Sequence, residues 1–97
     1  MNNITEFIPR GINNAITQSD LSSVLNIDKR TIRAMVYQAR KNGTVICSTP
    51  DSESGGYYLP ESPKEAVPYV KFQQARIHSA TEALRSAVKY VEDSSEI

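Results

Sequence analysis

At Gly43 the spacing of apolar residues changes from the 3.6-residue period of helices to the two-residue alternation of strands, and this limits the folds open to the chain. Before it lie two short helical patterns joined by Asn26-Ile27-Asp28. After it come residues 44–49, rich in β-branched side chains, and Gly56-Tyr57-Tyr58-Leu59, with the polar, proline-bearing segment 50–55 between them as a hairpin loop.

The helical segments carry their own start and stop signals. Thr17 followed three residues later by Asp20 is a capping-box pattern, predicting a helix over 18–25 with Leu21, Val24 and Leu25 on its buried stripe. Asp28 caps a second helix over 29–42, which turns Ile32, Met35, Val36 and Ala39 inward and ends at Gly43, a residue able to adopt the left-handed C-terminal conformation. Ile27 plugs inward at the turn. Upstream, Ile4, Phe7 and Ile8 share one face of a short helical stretch that Pro9 stops, and Gly11 with Asn13-Asn14 reads as a loop. On the second strand, alternation turns one of Tyr57 and Tyr58 inward and the other outward. Two helices, a tight turn and a hairpin make the order of a winged helix-turn-helix.

Ser62-Pro63-Lys64-Glu65 repeats the start signals of a helix: a cap, a proline at the first position and a capping-box glutamate. Pro68 removes a backbone donor and disfavours helical geometry at Val67, so the expectation is a short turn over 63–67 and an unbroken helix over 68–92. In that helix Val70, Ile77, Leu84 and Val91 recur every seven residues, with Ala80, Ala87 and Val88 between them, while Gln73 and Gln74 weaken the first heptad. At ~1.5 Å per residue it is roughly 37 Å long, more than the core of a small domain is wide. Val70, Ile77, Leu84, Val88 and Val91 are therefore candidate dimerisation residues, with folding back over the preceding domain as the rival use of the stripe. The expected class is mainly α with a small β-hairpin: a winged helix-turn-helix over 1–60, then a long C-terminal amphipathic helix over 61–97 with a frayed acidic tail.

A chain of 97 residues has no room for a second core. Its 39% hydrophobic and 23% charged residues describe an ordinary globular protein. The segment 1–6 has neither the basic start nor the apolar run of a signal peptide, and no stretch approaches membrane-spanning length, so the expected location is the cytoplasm. The single cysteine, Cys47, lies in an apolar run and reads as a buried, inert thiol. His78, the one histidine, lacks the companions of a metal ligand or general base. No phosphate-binding glycine loop, paired carboxylates or nucleophile with a base is present, so no enzymatic activity, catalytic residue, metal or cofactor is expected.

Net charge is zero, which argues against nucleic acid until the distribution is considered. Lys29, Arg30, Arg33, Arg40 and Lys41 fall within one helix that holds no acid, whereas the acids gather at Asp51, Glu53, Glu92, Asp93 and Glu96. Arg33, Tyr37 and Arg40 lie on one side of that helix with the other cations flanking them. A major-groove contact would use Arg30, Arg33 and Tyr37 on base edges and Lys29, Arg40 and Lys41 on phosphates, with Thr31 and Gln38 as weaker polar contacts; a merely solvated face is the alternative.

From Pro9-Arg10-Gly11 to Gly56-Tyr57-Tyr58-Leu59-Pro60 the chain resembles small winged helix-turn-helix proteins encoded by phages and prophages of Gram-positive bacteria. The matching features are Ala15-Ile16-Thr17, Asp28-Lys29-Arg30-Thr31-Ile32-Arg33, Val45-Ile46-Cys47-Ser48 and Gly56-Tyr57-Tyr58-Leu59. The resemblance implies a short strand at Ala15-Ile16-Thr17 pairing with the hairpin, a recognition helix over 29–42, and DNA binding. Wings that touch DNA usually carry lysine or arginine, whereas Asp51 and Glu53 would repel phosphate, so the wing tip is not expected to contact the backbone. The leading expectation is a homodimeric, sequence-specific double-stranded DNA binder, a transcriptional regulator or an accessory factor in replication or excision. The alternative is a winged-helix module that docks on a host or phage protein.

Overall fold

The computed structural model describes residues 3–50 and 55–94. The acidic loop residues Asp51 and Glu53 and the tail residue Glu96, on which the wing-tip and tail expectations rest, lie outside the described residues.

The order is a 3-10 turn at Ile4–Phe7, another at Ile12–Asn14, helix α1 (Gln18–Leu25), helix α2 (Lys29–Lys41), strands β1 (Cys47–Ser48) and β2 (Tyr57–Tyr58), and helix α3 (Pro63–Asp93). This is a winged helix-turn-helix with a long C-terminal helix. Both capping residues act as expected: the Thr17 hydroxyl accepts from the Asp20 amide at 3.0 Å, and the Asp28 carboxylate accepts from the Thr31 amide at 3.0 Å. Between the helices Asn26 takes the left-handed conformation, and the Ser22 hydroxyl donates to the Ile27 carbonyl, which fixes the turn. Gly43, at φ 100°, ends α2.

The hairpin is shorter than the β-branched run suggested. Cys47 pairs with Tyr58 and Ser48 with Tyr57, and among the described residues the sheet is widened only by isolated bridges from Ile16 to Tyr57 and from Arg10 to Leu59. In place of the implied strand at Ala15-Ile16-Thr17 there is this single bridge, in which Ile16 exchanges amide and carbonyl with Tyr57 at 2.9 and 2.8 Å. The approach is so close that a Cβ on Gly56 would lie 2.4 Å from the Ile16 carbonyl oxygen.

The core gathers Ile4, Ile8, Leu21, Ile32, Val36, Ile46 and Tyr57, with Ile16, Leu25, Ile27, Met35, Ala39 and Leu59 around its edge. Phe7 and Val24, expected inside, are exposed. The N-terminal turn is too tight to hold three inward residues, and α1 is so short that Leu21 and Leu25 complete its contact with α2. Tyr57 and Tyr58 are both buried, against the expected alternation. Tyr57 faces the helical core, while Tyr58 is covered by the start of α3 and donates its hydroxyl to the Glu65 carbonyl at 2.7 Å.

Helix α3 runs unbroken from Pro63, so the expected turn over 63–67 is absorbed into it. Pro68 is only the sixth helical residue, and its missing N–H leaves one carbonyl, that of exposed Lys64, to be met by water. The expected capping box is not closed. Ser62 makes no side-chain cap, and Glu65 instead accepts from the Ile12 amide at 3.2 Å and the Glu61 amide at 3.1 Å, tying the helix start to the N-terminal turns. Glu65, Ala66, Tyr69 and Gln73 are the most covered residues of α3, and every residue from Gln74 to Ser94 is exposed. The helix therefore stands out from the domain. The radius of gyration is 17.2 Å, against about 12–13 Å for a compact chain of this length. No helix among the described residues is long and apolar enough to cross a membrane.

Candidate nucleic-acid interface

Burial of Ile32, Val36, Met35 and Ala39 decides which side of α2 meets solvent. At 100° per residue the row opposite them is Arg30, Ala34, Tyr37 and Lys41, with Arg33 at one edge, and all five are exposed. Tyr37 is 62% exposed and lies under the Lys41 ammonium, 5.6 Å from ring centroid to nitrogen. Arg33 donates from Nη1 to the Gln18 side-chain oxygen at 3.3 Å, and Gln18 in turn donates to the Tyr57 hydroxyl at 2.8 Å, so α1 and β2 hold Arg33 toward the α1 side of the row. Ala34 is absent from the sequence-based candidates. A methyl group in mid-row lets the α2 backbone approach a groove closely, and its place between Arg30 and Tyr37 at helical spacing was open to inspection.

Thr31 is exposed but committed to the N-cap. Hydrogen bonds from Thr31, side chain first and then backbone, hold the Asp28 carboxyl below the usual carboxylate range, with Arg33 adding a smaller Coulombic pull. The cap that starts the helix also draws on one of its flanking cations.

Arg40 is not part of the outward face. It continues the buried row Ile32, Val36 by one more turn, and there the row meets the hairpin and α3 instead of the core. Its Nε donates to the Ile46 carbonyl at 2.8 Å, and its guanidinium lies 4.9 Å from the Tyr69 ring centroid and 5.9 Å from that of Tyr57. Its Nη2 is buried with no hydrogen-bond partner among the described residues. The expected phosphate contact is therefore an internal brace joining α2, the hairpin and α3.

Beside the brace opens a cleft of about 610 Å³ between the start of α1, the hairpin and α3. Lys29, Arg40 and Arg76 line it together with Gln18, Tyr57 and Gln73, and no carboxylate is among its described lining residues. Arg76, stacked 5.9 Å over Phe72, is a cation that sequence reasoning passed over because it flanks the heptad stripe, away from the basic helix α2. Among the described residues the salt bridges are His78 with Glu82 and Lys89 with Asp93, both on α3; no cation of α2 is in one.

The dimerisation candidates Val70, Ile77, Leu84, Val88 and Val91 are all exposed, from 43% at Val88 to 64% at Ile77. None folds back over the winged domain. No group of three or more potential metal ligands occurs among the described residues. Cys47 is buried, and desolvation pushes its thiol up. Desolvation, with smaller contributions from Cys47 and Glu65, also pushes the Tyr58 hydroxyl up to about 12.

No protein-family model, curated protein or solved structure matches this chain.

Proposed function

We propose that this protein binds double-stranded DNA by laying the exposed face of α2 into a major groove. The observation that carries the reading is the α2 surface itself: Arg30, Arg33 and Lys41 are exposed away from the buried row, Lys29 is exposed at the helix start beside the cleft, and none of the four is in a salt bridge among the described residues. Arg30, Arg33 and Tyr37 are the candidates for base edges, and Lys29 and Lys41 for phosphates. Arg76 and the cleft beside α1 extend the positive surface to the flanking backbone. Pairing of two copies through α3 doubles the phosphate contacts available to a chain of zero net charge. Such a protein acts as a regulator of transcription or as an accessory factor in replication or excision.

The reading is tested by selecting duplexes from a random pool and titrating the winner against the protein at two salt concentrations. About six phosphate contacts, from Lys29, Lys41 and Arg76 of two copies, predict a loss of about three orders of magnitude between ~0.05 and ~0.2 M salt, and Arg30→Ala with Arg33→Ala abolishes selection. Affinity that ignores salt and survives the double substitution overturns the reading in favour of docking on another protein.

A further inference from the structure

We infer that the exposed stripe of α3 pairs with the same stripe of a second copy, and that the two helices run antiparallel. Ile77, Leu84 and Val91 are exposed at 64%, 62% and 58%, at seven-residue spacing on a helix that leaves its own domain behind after Gln73. Between them, also every seven residues, stand Ala80 and Ala87, and one heptad earlier Gln73. Large residues thus occupy one core position of the repeat and small ones the other.

That alternation selects the direction. In a parallel pair, like meets like: Ile77 on Ile77 and Leu84 on Leu84, then Ala80 on Ala80 and Ala87 on Ala87. Crowded layers would alternate with hollow ones, and a hollow layer forfeits its packing contacts. In an antiparallel pair each layer sets one core position against the other. Ile77 then meets the partner's Ala87 and Leu84 the partner's Ala80, so every central layer holds one large and one small side chain, while at each end of the seam Val91 meets the partner's Gln73.

Charge agrees. The first part of the stripe is flanked by Lys71 and Arg76 and its end by Glu92 and Asp93. Antiparallel pairing brings Lys71 level with the partner's Asp93, whereas parallel pairing sets each end beside its like. Gln73, partly covered by its own domain, is a polar residue suited to the layer where the seam meets the domain.

The same register sets the distance between the two winged domains. At ~1.5 Å of rise per residue the two Gln73 lie about 27 Å apart along the pair and the two Tyr69 about 39 Å. These values bracket the ~34 Å repeat between successive major grooves on one face of DNA. The match to DNA rests on the proposed function; the pairing and its direction do not.

The test is made on the full chain without DNA. A nitroxide is placed on Ser94→Cys, at the exposed end of α3, while unsubstituted protein, whose Cys47 is buried, serves as the control that takes no label. The antiparallel pair predicts a mass of two chains and a label separation of about 36 Å or more, since the two ends stand about 36 Å apart along the axis. Leu84→Glu is expected to abolish both the coupling and the two-chain mass. A separation under about 20 Å, which a parallel pair with axes ~8–10 Å apart would give, overturns the inference. So does a mass of one chain, or of four, at ~100 μM. Because no DNA is present, these outcomes are independent of whether α2 binds it.

Discussion

The winged domain and the outer part of α3 spend their apolar residues in opposite ways. In the domain Leu21, Ile32 and Ile46 are 0–1% exposed and belong to one core cluster drawn from α1, α2 and the segment entering the hairpin. In the outer helix Ile77, Leu84 and Val91, side chains of the same kind, are more than half exposed. The contrast separates two jobs. Residues of the first set hold one chain together, and residues of the second set are left to the pairing proposed above.

The largest effect expected from this contrast is on Leu21. Leu21→Ala opens a cavity among residues that cannot collapse onto it and lowers unfolding free energy by about 2–5 kcal/mol at any protein concentration, as read by denaturant titration. Leu84→Ala removes the same atoms from the outer helix. It leaves the domain's transition in place but makes the helical signal of α3 concentration-dependent. If both variants lost the same stability at high dilution, the division between the two regions would be wrong.

Gly56→Ala comes next. Its Cβ would press 2.4 Å from the Ile16 carbonyl oxygen, where Ile16 bridges to the hairpin, and backbone on both sides must shift. A loss of about 1–3 kcal/mol is expected, and Ile16, outside any regular strand, is where amide exchange should quicken first.

Arg40→Ala sharpens the comparison at the joint between the two regions. Loss of the bond to the Ile46 carbonyl and of the stack on Tyr69 destabilises the domain by about 1.5–3 kcal/mol, and DNA affinity then falls only through folding. Arg30→Ala with Arg33→Ala does the reverse, removing affinity while denaturant midpoints hold. A stable Arg40→Ala protein with lost affinity would return Arg40 to the phosphate contacts.

The smallest effect is a pH effect. The Tyr58 hydroxyl, raised to about 12, stays protonated in the folded chain after free tyrosine has ionised. Its contribution is fully present below the unfolded tyrosine value and is lost as pH climbs toward the folded one, so stability declines on the alkaline side above roughly pH 10. Tyr58→Phe should flatten that decline, and absorbance titration should show one of the five tyrosines ionising last.

Much of this architecture was legible in the residues. Thr17, Asp28 and Gly43 marked the helix boundaries because caps and left-handed turns are local chemistry. The buried row of α2 and the seven-residue stripe of α3 followed from periodicity. What escaped was tertiary. Tyr58 became buried because α3 returns over the hairpin, and Pro68 stayed helical because it stands one turn inside a long helix. Arg40 left the basic face because the row Ile32, Val36, Arg40 runs off the core onto Tyr69, which is remote in sequence. Of the proposed interface, Lys29, Arg30, Arg33, Tyr37 and Lys41 were named from charge and helical spacing, Ala34 stood in the same row and was passed over, and Arg76 needed the packed faces to be known.

The central claim is that α2 reads DNA and α3 doubles it. Hydroxyl-radical footprinting of a selected duplex tests this most directly. The account predicts two protected patches on one face of the DNA, about 10 base pairs apart, each lost with Arg30→Ala and Arg33→Ala. A single patch or an unprotected duplex under saturating protein would contradict it.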